Sequence, residues 1–432
     1  MRAQWRRMVV LLSLLTVSVQ SDVDGDFMED VESSHHDVDL CNMLLCECRD
    51  HDTNEPYVRG SNVTVDIFCS CAHSNWKVIH LLSPHPVPPN TYLLHVTACD
   101  EVKVTTVKLG PNHWAQPHRL VVTDVPKLTV DKEGAFWASE IVLNNIGLIP
   151  VFPAGILRCA SFENRPIHSF RMINVTIDIV ETDAFALLHV WHSFELTDVK
   201  MRKVDEHGFV ITVQDRNGEF KMVNSSVESL EMYGLAVQAP SVVFQHCNFT
   251  FIEMHGIRVR AEKFVFANSS VQGYAKGFAF AVEARVVAFV HNTFNLLETQ
   301  AFFAVRKREH FDPYNCSCLL AYANNHFIQA HPGSLNPNWT LGSRDLVQDN
   351  VFEDCSCASM RWLWDAKYGN VPDVARTFYT ALIDLRSGSL CKGLECHLPL
   401  QHVVELFQPM EHESADPNVV CSGNATYADM CE

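Results

Sequence analysis

Val242-Val-Phe-Gln-His-Cys-Asn-Phe-Thr-Phe-Ile-Glu-Met-His-Gly-Ile-Arg-Val259 is the stretch on which the fold turns. Val242 and Phe244, Phe249 and Ile252, then Ile257 and Val259 place apolar residues in short runs, separated by polar segments and by Gly256. Alternation within a short run is the pattern of a strand with one face turned inward. The same phrase recurs on both sides. It begins at Ile141, Phe170, Phe194, Phe220, Val242, Phe264 and Val287, in steps of 29, 24, 26, 22, 22 and 23 residues. Later in each unit come apolar pairs, among them Leu148 with Val151 and Val271 with Tyr274. Each unit then reaches a small corner: Gly155, Ala184, Gly208, Gly234, Gly256, Gly277 and Ala301. The next residue is apolar every time: Ile156, Phe185, Phe209, Leu235, Ile257, Phe278 and Phe302. Weaker echoes stand at Val102, Leu120 and Leu320.

A return of this length makes each unit one coil whose apolar face is completed only by its neighbours. The small corner is expected to permit a tight turn. Strands of successive coils stack about 4.8 Å apart, so eight or nine coils would form a rod on the order of 40 Å long. The expected fold is all-β, a right-handed parallel β-helix, with disulfide-rich caps closing the sheet edges at both ends.

From Phe220 to Val305 the chain resembles the parallel β-helix repeats of the pectate-lyase-like superfamily, carried by Val242 to Val259, Phe264 to Val271 and Phe289 to Phe294. Asn224, Asn248, Asn268 and Asn292 fall near the turn where that family often stacks asparagines. Ile141 to Leu196 reads equally well as leucine-rich repeats, and Cys355-Ser-Cys357 with Trp362 and Trp364 resembles the flanking cap of such repeats. The resemblance implies an architecture and leaves activity open.

The 16 cysteines cluster at the ends. Cys41, Cys46, Cys48, Cys69, Cys71 and Cys99 precede the repeats; Cys316, Cys318, Cys355, Cys357, Cys391, Cys396, Cys421 and Cys431 follow them; only Cys159 and Cys247 lie between. Structural zinc sites favour wider pairs than Cys-x-Cys, so disulfides are expected, with connectivity open. Cys247 reads as a buried thiol.

The N-terminus agrees with that redox setting. Three arginines precede an apolar run from Met8 to Val19 and small residues before a cut after Ser21, the form of a secretory signal peptide. The run is too short to span a bilayer, which takes about 20 residues. Eight Asn-x-Ser/Thr sequons, at Asn62, Asn174, Asn224, Asn248, Asn268, Asn315, Asn338 and Asn424, predict glycosylated turns. The expected organisation is a signal at 1–21, an acidic disordered arm at 22–40, a cysteine-rich cap at 41–99, the solenoid at 100–310, a second cap at 311–400 and a tail at 401–432.

A formal net charge of −18 argues against a nucleic-acid partner. Asp22-Val-Asp-Gly-Asp26 misplaces the glycine of a calcium loop, and no nucleotide, zinc-protease or nucleophile-elbow motif is present, so no cofactor or metal is expected. Glycosidases need two carboxyl groups about the scissile bond. No Asp occurs between Arg216 and Phe311, and Glu253 with Glu231 or Glu262 is the nearest approach to such a pair. The expectation is a secreted, non-enzymatic binding or structural protein, with a β-helix polysaccharide lyase or hydrolase as the alternative. Arg258 and Arg260, with Lys263 nearby, form the dense basic spot on an acidic rod. They suit an acidic glycan or an extracellular protein, against the alternative of ordinary solvated charges. No membrane span is expected.

Overall fold

The computed structural model describes residues 40–406, except 59–60, 73–76, 82–86, 89, 105–116, 133–137, 156–166, 309–317, 356, 370–371 and 393–396. The signal, almost all of the acidic arm and the end of the tail lie outside the described residues, as do Asn315, Asn424, Cys159, Cys316, Cys396, Cys421 and Cys431. The chain is a β-solenoid of about 10 turns, 56% strand and 10% helix, which places it in the all-β class.

Each well-formed coil contributes to parallel ladders on successive faces. One ladder stacks Phe209–Val213, the first half of Leu235–Gln245, the first half of Ile257–Ala267, and Phe280–Ala284. A second joins the later halves of those two long strands to Glu219–Val223 and Val286–Val290. The third stacks Ser226–Leu230, Asn248–Ile252, Ser270–Ala275 and Thr293–Leu297. Every second side chain turns inward, so equivalent positions of successive coils form columns. Phe170 stacks on Phe194 at 4.9 Å and Phe194 on Phe220 at 5.6 Å, all fully buried.

The coils run beyond 100–310 in both directions. Val65–Ser70 pairs in parallel with Thr91–Thr97, and Val351–Phe352 with Leu390–Cys391. At the C-terminal end the periodicity is hidden because strands such as Val351–Phe352 are too short to carry it. Cys41–Cys48, Cys46–Cys69 and Cys71–Cys99 close the N-terminal end, where Cys46–Asp50 lies antiparallel on the first coil. At the other end Cys355 bonds Cys391, and Cys318 is also disulfide-bonded. There α1 (Cys357–Tyr368), α2 (Asp373–Ile383) and α3 (Leu400–Leu406) pack together, and Phe378 of α2 meets the buried ring of Tyr322 edge-on. Between residues 65 and 352 no described residue is α-helical.

The corner differs from the expected one. Gly155 is itself left-handed, with φ of 76°, but elsewhere the left-handed backbone falls on the residue before the glycine, at His207, Tyr233 and His255, with φ of 56° to 57°. Glycine follows because a Cβ at Gly234 would lie 2.5 Å from Leu230 Cδ1, and one at Gly256 2.8 Å from Ile252 Cγ2. The requirement is space. One corner is also two residues later than expected: Ile257 pairs with Phe280 and its N–H donates to the Ala279 carbonyl, so Gly277 is not the corner and Phe278 points outward. Gly-Phe and Ala-Phe follow one another here, and only the register with Ile257 separates them. Register shifts likewise make Ile149 and Phe152 the inward residues rather than Leu148 and Val151, and Ala275 rather than Tyr274.

A polar column runs through the interior. Ser269 N–H donates to Asn292 Oδ1 at 2.9 Å, Asn292 N–H to Asn325 Oδ1 at 3.2 Å and Asn325 N–H to Asn350 Oδ1 at 3.1 Å. Their amides donate back to the carbonyls of Phe266, Phe289 and Tyr322. Of the four asparagines expected to stack near the turn, only Asn292 belongs to this column. Asn224 and Asn268 hold the exposed left-handed position beside it, and Asn248 sits in a strand. Cys247 takes the place that Ser225 and Ser269 occupy in their coils: its N–H donates to Ser269 Oγ at 3.0 Å and its thiol to the Met222 carbonyl at 3.2 Å. It is a free thiol, and burial pushes it up to about 11.

Two substitutions separate the column from simple packing. Asn325→Ala strands the buried N–H of Asn292 and the Phe289 carbonyl, and should lower the unfolding free energy by about 2 kcal/mol or more in denaturant titration. Cys247→Ser supplies the group that the column already uses and should stay within about 1 kcal/mol of the parent. A large loss from the second, or none from the first, contradicts the assignment.

Candidate functional site

The outward side chains of the first ladder form two parallel rows. Register aligns Ala236, Arg258 and Ala281 in one, and Gln238, Arg260, Glu283 and Arg306 in the other. The two alanines leave Arg258 standing over a low floor. Glu283 is shared: Arg260 Nε lies 3.7 Å and Arg306 Nη2 3.1 Å from its two oxygens. One carboxylate thus holds two guanidinium groups in place without cancelling both charges. These rows line a groove of about 810 Å³.

One wall of the groove is aromatic. The left-handed corner residues stack along the rod, His207 on Tyr233 at 5.3 Å and Tyr233 on His255 at 5.3 Å, with ring planes within 4°. Phe278 follows His255 at 5.6 Å, tilted by 36°, and the exposed Phe303 meets it edge to face. Arg258 lies 5.5 Å from the centre of the Tyr233 ring. The guanidinium stands over the ring, so the negative face of Tyr233 holds it on this wall. Burial, helped by the charge of Arg258, holds His255 below the usual histidine range.

Beyond the aromatic wall lies a largely acidic column, Asp205, Glu231, Glu253, Lys276 and Glu298, each two residues before its left-handed residue. Glu231 and Glu253 are on adjacent coils, as expected. Each is tied to a lysine, Glu253 to Lys276 at 2.6 Å and Glu231 to Lys203 at 3.8 Å. Glu262 is elsewhere, at the next corner, with Arg308 at 2.9 Å and Arg285 at 3.4 Å. Lys263 is separated from Arg258 and Arg260 in the same way: alternation breaks after Ala261, and Lys263 projects from the second ladder. It still belongs to a basic band, since residues 257–308 hold eight Lys or Arg against three Glu and no Asp. Arg306 joins the site from a two-residue strand; no local motif marks it, and only the coil register brings it to Glu283.

The described sequons fall into distinct settings. Asn174, Asn224 and Asn268 hold the left-handed turn position of alternate coils, exposed, with φ of 52°, 50° and 49°. Asn248 is half-buried in a strand, where its oxygen accepts from Ser270 Oγ. It lines a second, smaller cavity of about 530 Å³, in which Arg202 pairs with Asp178. Asn62 is exposed near the N-terminal end, and Asn338 is exposed on the rim of the basic groove. No group of three potential metal ligands occurs among the described residues, and none of their helices is long and apolar enough to cross a membrane.

Protein-family models, curated proteins and solved structures all fail to match this chain.

The burial of His255 and the nearby charge of Arg258 have a titration signature. His255 should titrate below 6.5 by ring-proton NMR, and Arg258→Gln should raise it only part of the way, because burial is the larger cause. The sign for stability follows. As pH falls through 6.5 the unfolded chain takes up a proton that the folded His255 resists, so its contribution stabilises the fold above that range and is lost below it. A His255 that titrates at the ordinary value contradicts the packing described.

Proposed function

We propose that this protein is a secreted, glycosylated, non-enzymatic extracellular protein that binds an acidic polysaccharide in the basic groove. The observation that carries the proposal is the pair of rows in which Arg258 stands between two alanines beside Arg260 and Arg306. Guanidinium groups held in register along a ladder suit carboxylate and sulfate groups spaced along a polymer. Asp205, Glu231 and Glu253, beyond the aromatic wall, repel such a polymer and so bound its track. Stacked coils repeat about every 4.8 Å along the rod, a regular grid for a regular chain.

Disulfides at both ends are consistent with an oxidising compartment. Binding without turnover is favoured because Glu283, the acid among the described lining residues, is held between two arginines. Hydrolysis would need a second carboxyl group across the bond.

The experiment measures retention on immobilised polygalacturonate, a sulfated glycan and a neutral glucan, while recording release of reducing ends and unsaturated products. The acidic polymers should retain the protein and the neutral one should not. Arg258→Gln and Arg260→Gln should each weaken binding about tenfold, and Lys263→Gln far less, since each lost charged hydrogen bond removes about 1.5 kcal/mol or more. Turnover of any polymer sinks the non-enzymatic reading. Retention unaffected by the arginine changes removes the groove from it, and no retention at all turns the search to an acidic protein partner.

A further inference from the structure

Asn338 is the sequon residue that lines the basic groove, and the chain around it fixes its place. Its backbone forms a parallel bridge to Arg306, the end of the charged row. The next residue, Trp339, is fully buried, with its indole N–H donating to Asp345 at 3.2 Å and the Lys307 ammonium 5.2 Å from its ring centre. Lys307 in turn donates to the Thr340 carbonyl at 2.5 Å. Asn338, between a bridged backbone and a buried tryptophan, is exposed on the rim beside Arg306. The sequons at Asn174, Asn224 and Asn268 are mounted differently, on the turn between the second and third ladders, and line no part of this groove.

We propose that Asn338 carries an N-linked glycan that covers the arginine end of the groove, so that glycosylation at this one site controls access to it. The covalent step is amide glycosylation during secretion. The Asn338 amide nitrogen bonds to C1 of the first sugar of a lipid-linked oligosaccharyl pyrophosphate, the C1–oxygen bond to the pyrophosphate breaks with its electron pair on the leaving lipid pyrophosphate, and the amide gives up one proton. A branched chain anchored on the rim then stands over Arg306 and Arg260. Acidic termini on that chain would be drawn to the same guanidinium groups that the polysaccharide uses. The regulatory consequence rests on the groove being the ligand seat; the covering itself does not.

The test uses the full-length chain secreted from a glycosylating cell, compared with Asn338→Gln and Thr340→Ala. The second variant removes the sequon while keeping the asparagine and the backbone carbonyl that Lys307 uses. Peptide mass spectrometry gives occupancy of Asn338. The rates at which Arg258, Arg260 and Arg306 react with an arginine-specific dicarbonyl report access to the groove, with the exposed Arg216 as the control. The expected result is an occupied Asn338 and a severalfold rise in the groove rates in both variants and after enzymatic deglycosylation, with Arg216 unchanged. An unmodified Asn338, or an occupied one whose removal leaves the rates as they were, overturns the proposal. If the rates rise while neither form binds an acidic polymer, the covering stands and the polysaccharide reading falls.

Discussion

The backbone amides of each coil find their carbonyl partners in the coils above and below, and the inward side chains find their neighbours there too. A single coil therefore buries nothing by itself, and the register between coils must hold everywhere for the core to close. That constraint acts on side chains of every kind. It stacks Phe170, Phe194 and Phe220 inside, and it threads Asn292, Asn325 and Asn350 into one polar column. On the surface it lines up His207, Tyr233 and His255. The arginine rows of the groove are the same register seen from outside.

The solenoid was legible in the chain because inward positions recur with a period that no compact domain needs. What the pattern could not carry was phase wherever two residues qualified. Gly277-Phe278 and Ala279-Phe280 satisfy the same local rule, and the choice falls to pairing with Ile257, a contact one coil away. The last coil escaped for a different reason: Val351–Phe352 and Leu390–Cys391 bring two residues each to a ladder, too few to alternate visibly. Arg258 and Arg260 could be read from alternation along one strand. Arg306 and Glu283 could not be assigned to them, since their meeting depends on how many residues separate successive coils. Lys263 looked like a third member from its nearness in sequence, but the bend after Ala261 turns it onto another face.

Charge on this molecule is organised by column as well. An acidic chain with a formal net charge of −18 confines a basic band to residues 257–308, where eight Lys or Arg face three Glu. Two of these three carboxylates act as braces, Glu283 between Arg260 and Arg306, and Glu262 between Arg285 and Arg308. Such an arrangement fixes cations at set spacings while keeping the surplus positive. On the proposed reading, repulsion from the acidic remainder of the chain directs an acidic polymer to this track.

The central claim is that an acidic polymer lies in this groove, and hydroxyl-radical footprinting of the protein with bound acidic polysaccharide tests it most directly. The account predicts reduced oxidation at Tyr233, His255, Phe278 and Phe303, which form the groove wall, with the exposed Trp191 unchanged. Protection centred on Trp191 or on the smaller cavity around Met201, with the groove wall oxidised as in the free protein, would contradict it.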